Sequence, residues 1–331
     1  MAIIKLSEIP FLDHTQLRGR FINSLMFYSQ GRWNAYFPIE GGDFVNATIH
    51  SPAEAFYYGD KPERPTDIYL SSLNWLTQHI NYVDIQRPFR GFLDDIFNMT
   101  ASLAKEKHLH ATRDLAGNGL SRMVSTEIEY LFFLCRSVFD LFQEMMGKLW
   151  GFIYLKGETA PRSKLKNKKK FSDVVIYDKR QATIEEIRFK TEAPEWLVQC
   201  YSRSAGFFSN LRRFRNNLIH NGSQVQTIYV GETGFMIQKA LAPFKDIDLW
   251  DNEERLPNDL VPLLPALGLV IKNTLSVFED FADTLQSHIN FEPASVPGMR
   301  VFIRSYYDEI FQEVTADVQR RLANISPPSC V

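Results

Sequence analysis

Cysteine is scarce: Cys135, Cys200 and Cys330 are the only three in 331 residues, an odd number without regular spacing. That excludes a disulfide framework and points to a reducing compartment. Neither C-x-x-C nor H-E-x-x-H occurs, so no zinc site is signalled. Excess positive charge is also missing. The formal net charge of -2 excludes a strongly basic protein, although it leaves local basic patches open. No window approaches the roughly 18 uninterrupted apolar residues of a membrane span. The opening MAIIKLSEIPFLDHTQ is interrupted by Lys5 and Glu8, unlike a secretion signal. These absences predict a cytoplasmic protein without a membrane partner.

What is abundant is aromatic. Twenty-six Phe and thirteen Tyr, within a 45% hydrophobic composition, predict an aromatic-rich core in a chain long enough for one large domain or two ordinary ones. Residues 1–66 are punctuated by Gly and Pro and read as a mixed N-terminal segment, in which RFINSLMFY fits strand or helix. From Asp67 the period is helical: Leu70, Leu73, Leu76, Ile80 and Val83 share a face, and Pro88 breaks or kinks the run. Between Arg122 and Tyr154 the apolar period is sustained longest. Beside it, Arg136, Asp140, Glu144 and Lys148 form a narrow polar ladder at four-residue spacing. So narrow a ladder predicts a helix buried on most sides. A short helix is expected at ATIEEIRFK, a hairpin at TIYV-GETG-FMIQ, and a long helix from about 258–265 to 285. An amphipathic helix is expected from Val301 to Leu322. The fold class is thus mainly α: an antiparallel bundle over 67–290 with a small inserted β-hairpin, then a C-terminal helix and tail over 291–331.

Phe207 to Gly222, FFSNLRRFRNNLIHNG, carries the chemistry. Phe207, Leu211, Phe214 and Leu218 make an apolar stripe on a helix that should stop at Asn221-Gly222, while Arg212, Arg213, Asn216 and His220 collect opposite. Within it, Arg215-Asn216-Asn217-Leu218-Ile219-His220 resembles the signature of the HEPN superfamily (higher eukaryotes and prokaryotes nucleotide-binding domains). That signature is an arginine, a polar residue, and a histidine after four to six intervening positions, late in an all-α bundle. Arg213 also fits the spacing. It lies on nearly the same helical face as His220, whereas Arg215 sits roughly 140° away. Asn216 follows Arg215 as the family pattern requires, so Arg215 is taken as the motif arginine and Arg213, with Arg212, as a phosphate contact.

The resemblance implies metal-independent RNA cleavage, no cofactor, and a homodimer that pairs two such helices across one cleft. It also admits a toxin or antiviral role with an antitoxin or other protein partner. The residue chemistry is consistent with cleavage. RNA supplies its own 2′-OH nucleophile, His titrates near neutral pH, and Arg offers a fixed fork to the phosphorane oxygens. Asn216 can orient the ring or a phosphate oxygen. The basic run PRSKLKNKKKF, with Lys166, Lys168, Lys169 and Lys170, could supply backbone attraction to RNA. Glu127 and Glu129, on the neighbouring helix, could orient His220 or pair with Arg215.

Plainer roles stay open for the same residues. His220 suits a cation at a helix C-terminus, and the lysine run a solvated loop. Glu127 and Glu129 suit ordinary surface carboxylates. The H-x-H of His108 and His110 has two possible ligands but no third. The second function class is accordingly a non-catalytic HEPN-like module that binds RNA or protein.

Overall fold

The structure is a computed structural model and describes residues 2–157, 169–221, 227–241 and 243–325; side chains at 215–221 are outside the described set. The first 60 residues form five strands, β1 (Ala2–Ile4), β2 (Leu25–Ser29), β3 (Arg32–Pro38), β4 (Phe44–Ile49) and β5 (Ala55–Gly59). RFINSLMFY therefore contains no helix, and its second half, from Leu25, is strand. Alternate Leu25 and Phe27 are buried while Met26 and Tyr28 are less so, the period-two pattern of a strand.

Helices dominate from there: α1 (Ser71–His79), α2 (Gln86–Ala111), the single turn α3 (Arg113–Ala116) and α4 (Leu120–Leu149). Pro88 falls in the first turn of α2, where its missing N–H breaks no helical hydrogen bond, so it neither kinks nor ends the helix. After β6 (Tyr154–Leu155), α5 (Phe171–Val175) leads into a hairpin of β7 (Ile176–Tyr177) and β8 (Arg180–Gln181), so the run DVVIYD begins as helix and continues as strand. α6 (Ile184–Thr191) opens on Thr183, whose hydroxyl accepts from the Glu186 N–H while the Glu186 carboxylate accepts from the Thr183 N–H. Then come α7 (Glu195–Asn221), the hairpin β9 (Tyr229–Val230) and β10 (Phe235–Gln238), β11 (Leu260–Pro262), α8 (Leu263–His288) and β12 (Ile289–Asn290).

The last helix is shorter than its periodicity suggests. Residues 300–304 are strand β13, and α9 covers only Asp308–Ile325. β13 pairs antiparallel with β5, Val301 opposite Tyr58, and completes a sheet of order β1-β4-β3-β2-β5-β13. Among the described residues, only β2 and β5 run parallel. The N-terminal segment and the C-terminal region thus share one sheet. The alternation of V-F-I in β13 divides its contacts: Val301 joins a core under the sheet, Phe302 packs with Trp33 and Tyr57 on the other face, and Ile303 joins the helical core.

The mainly α class is plain in the helical layer, whose core runs from Ile68 to Val314. α4 sits against α2, α7 and α8. Its phenylalanines meet those of its neighbours edge to face, as with Phe139 and Phe208 at 5.3 Å and Phe142 and Phe281 at 5.0 Å. The aromatic stripes are core. The polar ladder resolves into two ion pairs, Arg136–Asp140 at 2.7 Å and Lys148–Glu144 at 2.6 Å. Asp140 also accepts from the Phe171 N–H and so anchors α5. Gly268 lets α8 approach α9, because a Cβ there would collide with Val314. Among the described residues, no helix is long and apolar enough to cross a membrane.

Candidate functional site

α7 owes its register to one apolar stripe. Leu197, Tyr201, Phe208, Leu211 and Phe214 are all buried against α4 and α8. The two helices α4 and α7 run antiparallel: Gln143 accepts from the Tyr201 hydroxyl at 2.8 Å, Phe139 meets Phe208, and Phe132 meets Phe214 with centroids 4.2 Å apart. The backbone of α7 carries positions 215–221 to Asn221, where the expected helix stop falls. Arg215, Asn216 and His220 are therefore placed by helical position alone, since their side chains lie outside the described residues.

Helical geometry gives those positions context. Position 220 is seven residues from Arg213 and falls within about 20° of it, on the side that is exposed at Arg213. Arg213 donates to Asn210 Oδ1 at 3.3 Å and to Asp246 at 3.4 Å, loose contacts on a solvated face. Arg212, beside it, is half-buried.

Across the interface, Arg136 of α4 lies over the Phe208 ring at 5.7 Å. Moving seven residues toward the start of α4 and seven toward the end of α7 preserves an antiparallel contact, with a drift of about 20° on each helix. That step takes Arg136 to Glu129 and Phe208 to position 215. Glu129 Oε1 is sealed from solvent and has no hydrogen-bond partner among the described residues. A buried carboxylate oxygen without a donor is costly, so the position opposite it is where a cation would be most favourable.

The other expected site residues disperse. Glu127, two residues and about 200° round α4 from Glu129, turns to α2 instead: Ser102 Oγ donates to it at 2.7 Å and Lys105 pairs with it at 3.3 Å. Lys169 and Lys170 are exposed just before α5, whose Phe171 packs on Phe208. They stand at the level of Phe208, roughly 18 Å along the helix from position 220 at 1.5 Å per residue. Lys166 and Lys168 lie outside the described residues. His110 hydrogen-bonds through its Nε2 to the Gly231 carbonyl at 2.9 Å and packs edge-on to Phe235, so it fastens the β9–β10 hairpin to α2. Glu106, one helical turn earlier, is buried beside the same hairpin. Burial pushes its carboxyl up to about 7, against the opposing pull of Lys107 and the Phe235 N–H. Among the described residues, no group of three or more His, Cys, Asp or Glu is arranged to hold a metal.

One feature near the end of α7 has no counterpart in the motif. A pocket of about 340 Å³ opens between α4, α7, α8 and the turn at 243–247. Phe132, Phe207, Leu211 and Phe214 form its apolar wall, and Asn210, Arg213, Lys245, Asp246 and Asn273 stand at its polar rim, where Asp246 pairs with Arg213. In the sequence Asn273 sits among other polar residues, Lys272, Thr274 and Ser276, in the run LGLVIKNTLSVF, and nothing there marks it.

In comparison with known proteins, no family model, no curated protein and no solved structure matches the chain.

Proposed function

We propose that this chain is a metal-independent endoribonuclease of the HEPN type. The observation that carries the proposal is the location of R-N-x3-H on the last two turns of α7, held antiparallel to α4 with the unpartnered Glu129 carboxylate opposite position 215. In this reading His220 takes the proton of a ribose 2′-OH as that oxygen attacks the adjacent phosphorus. Arg215 neutralises the phosphorane, and Glu129 fixes the guanidinium. The P–O5′ bond breaks, the leaving 5′-oxygen takes a proton, and the products are a 2′,3′-cyclic phosphate and a 5′-hydroxyl. A second copy of the chain would bring a second Arg/His set to the cleft, letting one imidazole act as base and the other as acid. Arg212 and Arg213, flanking the motif, would hold backbone phosphates. A toxin or antiviral effector role, with an antitoxin as partner, fits such an activity.

The test is incubation of the purified protein with total RNA in EDTA. Cleavage that persists under chelation and disappears in His220→Ala is the expected result. RNA left intact by the wild type would sink the nuclease and leave the second reading, a HEPN-like helical module that binds RNA or protein without cutting.

A further inference from the structure

The pocket beside Arg213 has the properties of a ligand site rather than a packing defect. At about 340 Å³ it lies in the range of small-molecule sites, and its walls are apolar with a few polar groups at the mouth. The wall is rigid: Phe132 and Phe214 are both buried and meet at 47°, with Phe244 behind Phe132 at 6.2 Å. The rim is chemically specific. Asn273 on α8 is half-buried and its amide has no hydrogen-bond partner among the described residues. Asn210 on α7 faces the same opening, with Lys245 and Arg213 beside it. An aromatic wall, two amides and two cations, one of them shared with the Asp246 carboxylate, match an unstacked base with its phosphate outside. The base would lie against the half-buried Phe207, its edge would meet the amides, and its phosphate would meet the cations.

We infer that this pocket receives one purine base of a single-stranded RNA, and so sets where the strand is cut. The inference rests on the nuclease reading for its consequence, though not for its binding chemistry. A purine is favoured over a pyrimidine because an amide can engage adenine N6 and N7 together, and because the volume exceeds what a single ring fills. Along α7, the pocket wall at Leu211 is about 8–14 Å from positions 216–220 at 1.5 Å per residue. The selected base would therefore sit a fixed, short distance from the scissile bond rather than next to it.

Two measurements test this. The first is titration of the full chain with adenosine 5′-monophosphate, cytidine 5′-monophosphate and ribose 5-phosphate. The adenine nucleotide should bind about tenfold more tightly than the others, and Asn273→Leu should remove that preference while His220→Ala keeps it. Lys245→Ala should weaken all three compounds alike, showing a phosphate contact in a folded protein. Equal binding of ribose 5-phosphate, or unchanged adenine preference in Asn273→Leu, overturns the inference. The second is mapping of cleavage sites: a purine at a constant offset from the cut is expected, and it should vanish in Asn273→Leu. Cleavage without any base preference overturns the subsite and leaves the nuclease standing. Adenine binding without cleavage does the reverse.

Discussion

Arg304 and Asp67, 237 positions apart, close on each other as a two-pronged pair: Nε donates to Oδ1 at 2.8 Å, Nη2 donates to Oδ2 at 2.7 Å, and neither side chain reaches solvent. Glu63 also pairs with the guanidinium, and the Trp33 ring lies 4.9 Å away. Burial alone would raise the Asp67 carboxyl. Donors from Arg304, the Tyr57 hydroxyl and the Arg64 N–H hold it below its ordinary range instead. This cluster ties β13 to the segment that leads into α1. Asp67→Ala leaves a buried cation half-paired, which typically costs about 3–5 kcal/mol. A urea midpoint unchanged from wild type would refute that account, and the double change Arg304→Met with Asp67→Leu should recover part of the loss.

Arg215 and Arg213 separate by role. If Arg215 meets the phosphorane, Arg215→Ala should lower RNA cleavage by about 10²–10³-fold, the usual size of losing one transition-state donor. Arg213→Ala should weaken binding more modestly and reduce the salt dependence of binding. Rates of cleavage for the two variants at 50 and 200 mM salt decide the matter. A larger loss from Arg213 transfers the motif to the other arginine.

Glu129 and Glu127 are two residues apart on α4, about 200° round the helix, and only Glu127 is bonded to α2. Glu129→Gln should slow cleavage by about tenfold or more, equivalent to some 1.4 kcal/mol of lost transition-state stabilisation. Glu127→Gln should leave the rate unchanged, because its partners are Ser102 and Lys105 on α2. Equal effects from both would remove Glu129 from the site.

Glu106 makes stability depend on pH in a defined direction. Its carboxyl rises from an ordinary 4.5 to about 7 on folding, so the folded chain holds this proton more tightly than the unfolded one. The group therefore destabilises the fold fully above pH 7, less as pH falls through 7, and not at all below about 4.5. Glu106→Gln cannot ionise. It should raise the melting temperature at pH 8, by about 1–3 kcal/mol of stability, and lose that advantage near pH 5. The same difference at both values would refute the burial assignment.

The helical layer was largely legible in the sequence because its signal is local: α4, α7 and α8 announce themselves through apolar residues at three- and four-residue spacing. The TIYV-GETG-FMIQ hairpin was legible for the same reason, its Gly-bounded turn lying within the segment itself. β13 was not, since V-F-I-R can join a helical period with the residues that follow, and only its partner β5 shows that it is a strand. The division between Glu127 and Glu129 was equally hidden. Spacing puts both on α4, but which neighbour each meets depends on how three helices are arranged around it. The pocket at Asn273 draws on α4, α7, α8 and the turn at 243–247, and no single stretch contains it.

The pairing of Val301 with Tyr58 also governs how the chain is made. The first five strands leave the ribosome some 240 residues before their last neighbour exists, a wait of roughly 12–50 s at about 5–20 residues per second. During that interval one flank of β5 is an open row of amide and carbonyl groups, ready to recruit any extended chain nearby. Newborn copies on one messenger are thus most prone to sticking together before translation reaches residue 304, and a holdase acting early would protect yield more than any later rescue.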